Sequence, residues 1–377
     1  MGIVITPYAE EHVAAVKAFN GRLRSGGAEL LFPESPIPAW LPKLDGREIY
    51  DEYYVAVDGG AVRGGYILKY QPFYVGGRMM PLVQYRLPLS EGFIDKQFAP
   101  VGVQMYLDAI RKAPNLYTVG LGGYDDPFAH LLIKAGWSTS PVPFYFRVLH
   151  PAQFLRNIVY LRTSAARRFV LNVMAASGLG AIAIHAYQAL KTRNAPRDRS
   201  HAEFTEETSF GPWADEIWRN AHADYSLVAL RDATILNILY PASEPRWHRL
   251  KVSFEGRVVG WAVVLCVPMQ DHNYFGNMRV GSLIDCLALP GSESKVTSVA
   301  MQFLKRQGAD IVVTNLSHQA WRPALEAAGF YQGPSNFIFA ASKKVVALLE
   351  PFDQRKECVH MTRGDGAGPQ NLIAARK

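Results

Sequence analysis

The feature that most constrains the fold of this chain is an internal repeat. The strings HLLIKAGW and PALEAAGF, which end at Gly136-Trp137 and Gly329-Phe330, follow the same succession of patterns. The interval from Val55 to Gly136 is nearly equal to the interval from Val252 to Gly329. Two copies with nearly equal spacing indicate one supersecondary unit that occurs twice.

Each copy begins with a predicted β-hairpin. The first reads YYVAVDGGAVRGGYILKY over residues 53–70, and the second reads LKVSFEGRVVGWAVVLCV over residues 250–267. In both, apolar residues alternate on either side of a glycine-containing turn, DGG or EG, which is typical of antiparallel strands joined by a tight turn.

The patterns that follow the hairpin are also shared. A third strand (MPLVQYRLPLS or GSLIDCLALPG) precedes a helical pattern, a buried strand (LYTVGLGG or DIVVTNLS) and a helix that ends at Gly136 or Gly329. A terminal hairpin strand, PFYFRVLH or NFIFAASK, is expected to complete each copy, and a helix is expected before each (EEHVAAVKAFNGRL or GPWADEIWRNAHADY). The sequence therefore predicts an α/β protein with two tandem domains, each a mixed, largely antiparallel sheet flanked by helices.

Length and composition agree with two domains. A chain of 377 residues, of which 49% are hydrophobic, can bury two cores. We expect a first domain over 1–150, a basic, apolar helical connector over 151–204, a second domain over 205–350 and a C-terminal tail over 351–377.

The three cysteines, Cys266, Cys286 and Cys358, show no metal-ligand or disulfide spacing. We therefore expect no metal and a reducing cytoplasmic location. The N-terminal residues also lack the basic and apolar segments of a secretory signal.

The order of elements and the glycine-aromatic ends resemble the GCN5-related N-acetyltransferase (GNAT) fold of the acyl-CoA N-acyltransferase superfamily. The resemblance covers most of 1–150 and 205–345, and the pair resembles a tandem acetyltransferase. It implies acetyl-CoA or another acyl-CoA as co-substrate. In that family the third strand leads into a loop where backbone N–H groups and a helix N-terminus hold the pyrophosphate, as unpaired amides can.

The resemblance assigns the acyl-CoA loop to the second copy. The arginine and the inner glycines of the family's loop pattern are absent from the second copy. In the first copy, only Gly102 and its neighbours are available for this role. The residues expected to hold acyl-CoA are Leu287, Leu289, Pro290, Gly291, Ser292, Glu293, Ser294, Lys295 and Val296.

The catalytic candidates also lie in the second copy. The family's general acid, a tyrosine four residues before the glycine, is replaced by Leu132 and Leu325. Asp285 on the third strand is the candidate general base, and its alternative role is a strand carboxylate paired with a nearby cation. Asn315, at the end of the fourth strand, is expected either to meet the acyl carbonyl or to cap the next helix.

These residues suggest an acyl-CoA-dependent acyltransferase with a small-molecule or sugar acceptor, such as the amine or hydroxyl of a surface-polysaccharide precursor. Direct transfer in a ternary complex is expected, because no Ser/His/Asp or Cys/His set is evident. Two alternatives stay open. One is a Fem-type aminoacyl-tRNA-dependent peptidyltransferase, and the other is a non-catalytic, degenerate acetyltransferase scaffold.

The net positive charge of the chain is concentrated in the connector. Residues 151–200 hold eight Lys or Arg and one acid, a net charge of +7 that equals the formal charge of the entire protein. The segment between Arg168 and Lys191 contains no Lys, Arg, Asp or Glu. This pattern fits a membrane span, a peripheral contact with an anionic inner membrane surface, or a helical pair packed between the domains. No nucleic-acid-binding motif is present, and we expect no such partner.

Overall fold

The computed structural model describes residues 2–120, 122–192 and 202–366, which form two compact units. The units are not contiguous in sequence. The first contains the chain up to Val119, His130–Thr139 and Phe339–Phe352, and the second contains Gly120–Ala129, Ser140–Ile338 and the described residues from Asp353 onward.

Runs of strands are separated by helices along the chain. The elements up to residue 150 are β1 (Val4–Pro7), α1 (Val13–Ser25), β2 (Tyr50–Asp58), β3 (Ala61–Val75), β4 (Arg78–Ser90), α2 (Ala99–Lys112), β5 (Leu116–Gly120), α3 (Pro127–Lys134), β6 (Ser138–Pro141) and β7 (Phe144–Val148). The next are α4 (Pro151–Asn157), α5 (Ala165–Ala176), α6 (Leu179–Thr192), β8 (Glu203–Glu207), α7 (Pro212–Ala221), β9 (Leu227–Ala229), α8 (Ala233–Leu239), β10 (His248–Phe254), β11 (Arg257–Pro268) and β12 (Arg279–Ala288). The last are α9 (Glu293–Arg306), β13 (Ile311–Asn315), α10 (Trp321–Ala327), β14 (Tyr331–Gly333), β15 (Ile338–Ala341), α11 (Lys343–Leu348), α12 (Phe352–Arg355) and β16 (Val359–His360).

Each unit has one mostly antiparallel sheet flanked by helices, as the sequence predicts. The main path of the first sheet is β1-β2-β3-β4-β5-β15-β6, and the second sheet has the order β14-β7-β13-β12-β11-β10-β8. Strands β9 and β16 lie off the main path of the first sheet and pair with each other in parallel. The predicted hairpins are β2–β3 and β10–β11. Their turns contain Gly59, Gly60 and Gly256 at positive φ, a conformation that glycine adopts without strain.

The terminal strands differ from the prediction, because they are exchanged between the sheets. The strand of the first copy, β7, lies between β13 and β14 in the second sheet. The strand of the second copy, β15, lies between β5 and β6 in the first sheet. A proline precedes each exchanged strand, Pro143 before β7 and Pro334 before β15. Because proline lacks the N–H that a ladder needs, each chain segment leaves its previous strand there.

The two sheets share a second geometric feature, a splay at their centre. Strand β4 pairs with β5 in parallel only at Val83 and Gln84, and β12 pairs with β13 in parallel only from Val280 to Leu283. A β-bulge interrupts β4 opposite Gly65 and Ile67. A second bulge interrupts β12 opposite Val263 and Val264. Beyond these points the strands diverge, since a bulge bends its strand and increases its twist.

The connector forms helices α4, α5 and α6 of the second unit, and its residues 193–201 lie outside the described part of the chain. Among the described residues, no single helix has the length and apolar composition of a membrane span. Ala165–Ala176 and Leu179–Leu190 satisfy the length and composition requirements only as a pair, which is bent by 81°.

The strand exchange predicts that the first copy cannot fold alone. A fragment of residues 1–150 lacks β15 and α11, so β5 loses a neighbour and β6 has no strand to pair with. We expect this fragment to show no cooperative thermal transition by circular dichroism. Residues 2–141 joined through a flexible linker to residues 338–352 should regain one. A cooperative transition for 1–150 alone would contradict the exchange.

Candidate functional site

The splay of the second unit is filled by the C-terminal segment of the same chain. Ser317, which follows β13, donates its N–H to the Met361 carbonyl at 3.1 Å and accepts the Met361 N–H at 2.8 Å. Leu316 and Thr362 form an antiparallel bridge. On the other side of the opening, the His360 Nε2 atom lies 3.0 Å from the Cys286 carbonyl oxygen of β12. The residues 359–362 are buried and occupy the space between the two diverging strands.

Asp285 lies in this closed splay, in a cluster of polar side chains. The Arg231 Nε atom donates to the Asp285 carboxylate at 3.0 Å and 3.2 Å, and the Tyr240 hydroxyl donates to it at 2.9 Å. Thr362 adds a donor at 3.2 Å. The Arg231 Nη2 atom also bonds both oxygens of Asp365, at 3.0 Å and 2.9 Å. The side chains of Arg231, Asp285 and Asp365 are at most 2% exposed.

Burial and neighbouring charges act in opposite directions on the pKa values of this cluster, which contains one guanidinium and two carboxylates. Burial raises the pKa of the Asp285 carboxyl, and the Arg231 charge opposes that rise. Burial would lower the pKa of Arg231, but the charges of Asp285 and Asp365 outweigh it and keep the guanidinium protonated. Removing a guanidinium from such a cluster leaves buried charges unpaired, which is costly in free energy.

Two histidines next to the cluster remain neutral. Burial lowers the pKa of His318 to about 4 and lowers the pKa of His360 well below its usual range. Their rings lie against Tyr225, with centroid distances of 4.5 Å and 4.9 Å. His360 belongs to the inserted segment, and the His318 ring packs beside it.

The structure places Asn315 with backbone groups instead of in an open cleft. Its side chain is 4% exposed, and its Nδ2 atom lies 3.4 Å from the carbonyl oxygens of Val142 and Pro143. These carbonyls belong to the link between β6 and β7. Catalytic roles for Asp285 and Asn315 stay predictions, and in this geometry the partners of both side chains are protein groups.

The predicted acyl-CoA loop of the second unit is a turn that leads into α9, and several of its residues are exposed. Leu287 is buried on β12 and Val296 is buried in the core under α9. The rest of the loop is partly or fully exposed: Leu289, Pro290, Gly291, Ser292, Glu293, Ser294 and Lys295. The Leu289 N–H donates to the Val259 carbonyl. The Glu293 carboxylate accepts hydrogen bonds from the backbone N–H groups of Gly291 and Glu293. A carboxylate of the chain therefore occupies the amides that would otherwise meet a phosphate. The Lys295 Nζ atom lies 4.5 Å from the Phe254 ring centroid.

The splay of the first unit is more open. On β4, Arg86, Leu87 and Pro88 follow the last pair with β5 and are partly exposed, whereas every residue of β12 after Arg279 is buried. In the described part of the chain, no strand pairs with this edge of β4 beyond Gln84. A strand edge that no other strand covers is a place where a ligand can bond to the backbone.

The loop between β4 and α2 in the first unit carries excess positive charge. The Glu91 carboxylate is buried and forms ion pairs with Arg22 and with Arg63, the second at 2.7 Å. Two cations around one anion leave a net charge of +1, and exposed Lys96 is offset by its exposed neighbour Asp95. In the first turns of α2, a side-chain atom added at Gly102 would meet nothing within 4 Å.

Comparison with solved structures supports the fold. A conserved protein of unknown function from Enterococcus faecalis V583, a probable N-acyltransferase, is 9% identical, with a TM-score of 0.52, and the alignment covers 93% of this chain and 75% of that one. A GCN5-related N-acetyltransferase from Anabaena variabilis is 10% identical, with a TM-score of 0.52 and coverage of 90% and 72%. The Saccharomyces cerevisiae N-myristoyltransferase with bound myristoyl-CoA and inhibitors is 10% identical, with a TM-score of 0.51 and coverage of 90% and 79%.

The chain has the fold of the N-acyltransferases. This confirms the resemblance seen in the sequence as far as the fold is concerned. No protein-family model and no curated protein matches the sequence.

The sequence does not predict the partners of Asp285. Arg231 lies far before it in the chain, and Asp365 lies still farther after it. One local signal was present in TRGD, residues 362–365, where a threonine and an aspartate three residues later form a capping box. That pattern indicates an ordered turn in a segment that composition alone assigned to a tail.

Gly364 offers a test of how closely the inserted segment fits. A Cβ atom at Gly364 would lie 2.2 Å from the Tyr240 hydroxyl, so we expect Gly364→Ala to lower the free energy of unfolding by about 1–3 kcal/mol through overpacking. Tyr240→Phe alone should cost about 1 kcal/mol through its lost hydrogen bond. Urea denaturation of both single variants and the double variant measures the coupling.

We expect the double variant to be more stable than the sum of the single effects predicts, because the phenylalanine leaves room for the new methyl group. Strictly additive losses would show that the segment does not occupy this position in solution.

Proposed function

We propose that this protein transfers an acyl group from an acyl-CoA to an amine or hydroxyl acceptor. The proposal rests on the fold, on structural neighbours that are N-acetyl- and N-acyltransferases, and on a neighbour with bound myristoyl-CoA. An acyl-CoA substrate also agrees with three free cysteines, which suit a reducing cytoplasm.

The first unit, instead of the second, is proposed to hold the acyl-CoA. The observation that carries this assignment is the filled splay of the second unit, where residues 359–362 take the place that a pantetheine arm would need. The first unit retains a free edge on β4 and a positively charged loop before α2. Its backbone amides could bond the pantetheine, and its loop could attract the pyrophosphate.

The proposed chemistry is direct attack by the acceptor on the thioester carbonyl. Backbone N–H groups on the free edge of β4 would stabilise the oxyanion, which is a general role for fixed amide donors. Leu132 is fully buried where the family places a tyrosine acid, so water would protonate the departing CoA thiolate. The bond that forms joins the acceptor nitrogen or oxygen to the acyl carbon, and the bond that breaks is the thioester C–S bond. The proton that the acceptor loses passes to water.

The acceptor is proposed to be a small molecule, with an amino sugar or another precursor of a surface polysaccharide as the class to test first. Mass spectrometry of candidate amino sugars incubated with protein and acetyl-CoA would detect the product. The second candidate function is a non-catalytic scaffold. It is favoured by one specific observation, the closure of the second unit by its own chain.

Charge reversal at the two loops tests which unit binds acyl-CoA. We expect Gly102→Glu to weaken acetyl-CoA binding at least about 10-fold in isothermal titration, because a carboxylate at the start of α2 repels the pyrophosphate. The fold should tolerate this change, since the added side chain meets open space. The matched control is Ser294→Glu at the start of α9, which should leave the affinity unchanged.

The opposite pattern, with loss of binding only in Ser294→Glu, would assign acyl-CoA to the second unit. Failure of the wild-type protein to bind acetyl-CoA or longer acyl-CoAs would contradict the transferase proposal and favour the scaffold.

Asp285→Asn separates a structural role from a catalytic one. We propose that Asp285 is structural. Its replacement should lower the free energy of unfolding by about 1–3 kcal/mol through weaker bonds to Arg231, while CoA thiol release from acetyl-CoA per folded molecule stays unchanged. A loss of thiol release by two orders of magnitude or more at unchanged stability would restore Asp285 as the general base.

A further inference from the structure

Helices α5 and α6 form a bent pair in which Ala175 and Gly180 are the buried residues among those that the structure describes. The backbone of Gly180 lies so close to α4 and α5 that an added Cβ atom would be 2.3 Å from Leu155 and 3.0 Å from the Met174 carbonyl. Arg162 donates to the Leu155 carbonyl and to Asn172, both at 2.9 Å. The side chain of Gln188 donates to the Val148 carbonyl at 2.8 Å. These contacts fix the pair on the second unit.

The outer faces of the same helices are apolar and exposed. On α6, Leu179, Ile182, Ala186 and Leu190 recur at helical spacing on one face, and all four are exposed. Ten of the 21 exposed large hydrophobic side chains of the described residues lie within residues 159–190. A soluble monomer rarely leaves such a concentrated apolar patch uncovered.

The pair also presents bulky side chains on α5 beside exposed cations. Phe169 and Val170 are 70% and 52% exposed, and they directly follow Arg167 and Arg168. Arg156 is exposed on α4. No aspartate or glutamate occurs between Asp126 and Asp198. The apolar surface is therefore flanked by positive charge that no nearby acid in sequence offsets.

We propose that the outer faces of α5 and α6 dock this protein on an anionic lipid surface. Apolar side chains such as Phe169 and Ile182 enter the boundary between headgroups and acyl chains, and Arg156, Arg167 and Arg168 contact the anionic headgroups. The pair lies on the membrane without crossing it, because of its 81° bend and because the contacts of Gly180 and Gln188 hold it on the second unit. Charge complementarity favours lipid over a second copy of this basic surface, which would repel itself.

Sedimentation of the full-length protein with vesicles tests the proposal. The probes are vesicles of phosphatidylcholine alone and vesicles of phosphatidylcholine mixed with anionic phosphatidylglycerol, each at low and high salt. We expect binding to the anionic vesicles that weakens with salt, and at most weak binding to the neutral ones. Arg167→Gln with Arg168→Gln should lower the partition coefficient about 10-fold or more. Phe169→Ser with Ile182→Ser should lower it about 10- to 100-fold.

Matched controls alter equivalent side chains elsewhere. Lys17→Gln with Arg257→Gln removes two exposed cations, and Ile37→Ser with Leu44→Ser removes two apolar side chains that are 66% and 50% exposed. Neither control should change vesicle binding. Circular dichroism melting of each variant verifies that it is folded.

Three results would overturn the proposal. The first is no binding to anionic vesicles, and the second is binding that the helix variants and the controls reduce equally. The third is a dimer in analytical ultracentrifugation that Phe169→Ser with Ile182→Ser dissociates, which would assign the apolar surface to a second copy of the chain. None of these depends on acyl-CoA, so the lipid proposal and the transferase proposal fail separately.

Discussion

The Arg231 guanidinium is the interaction on which the closed state of the second unit depends. It joins Asp285 of β12 to Asp365 of the C-terminal segment, and all three side chains are removed from water. Desolvating charges is unfavourable unless each finds a partner, so the cluster is stable only when the segment is inserted. The position of one arginine thus decides whether a splay that could hold a ligand is filled by the protein itself.

The sequence predicts those parts of the fold that local chemistry determines. Alternating apolar residues around Gly59 and Gly256 identify both hairpins, and Gly136 and Gly329, which have positive φ, mark helix ends correctly. The exchange of β7 and β15 could not be predicted, because each strand has the same apolar pattern whichever sheet it joins. Pro143 shows only that a strand ends there, and pairing between segments so distant in sequence leaves no local pattern.

The site was harder to predict than the fold, and for a related reason. The sequence marks Asp285 as a candidate general base or an ion-paired strand carboxylate, and the choice depends on partners that are distant in sequence. Buried carboxylates occur both in catalytic sites and in structural ion pairs, and only the surrounding residues distinguish the two roles. The loop before α9 likewise has a sequence compatible with phosphate binding, yet Glu293 takes its amides.

The splay of the central strands occurs in both units, but the chain itself fills it only in the second. Each loop between the third strand and the following helix carries a carboxylate, Glu91 or Glu293. Glu293 binds the loop amides directly, which fills the anion position and leaves no positive charge in excess. Glu91 is instead held by Arg22 and Arg63, so its loop keeps a net positive charge. The proposal that an anionic ligand such as a pyrophosphate binds at the first loop rests on this difference, because in the second loop the ligand would have to displace a carboxylate that is part of the chain.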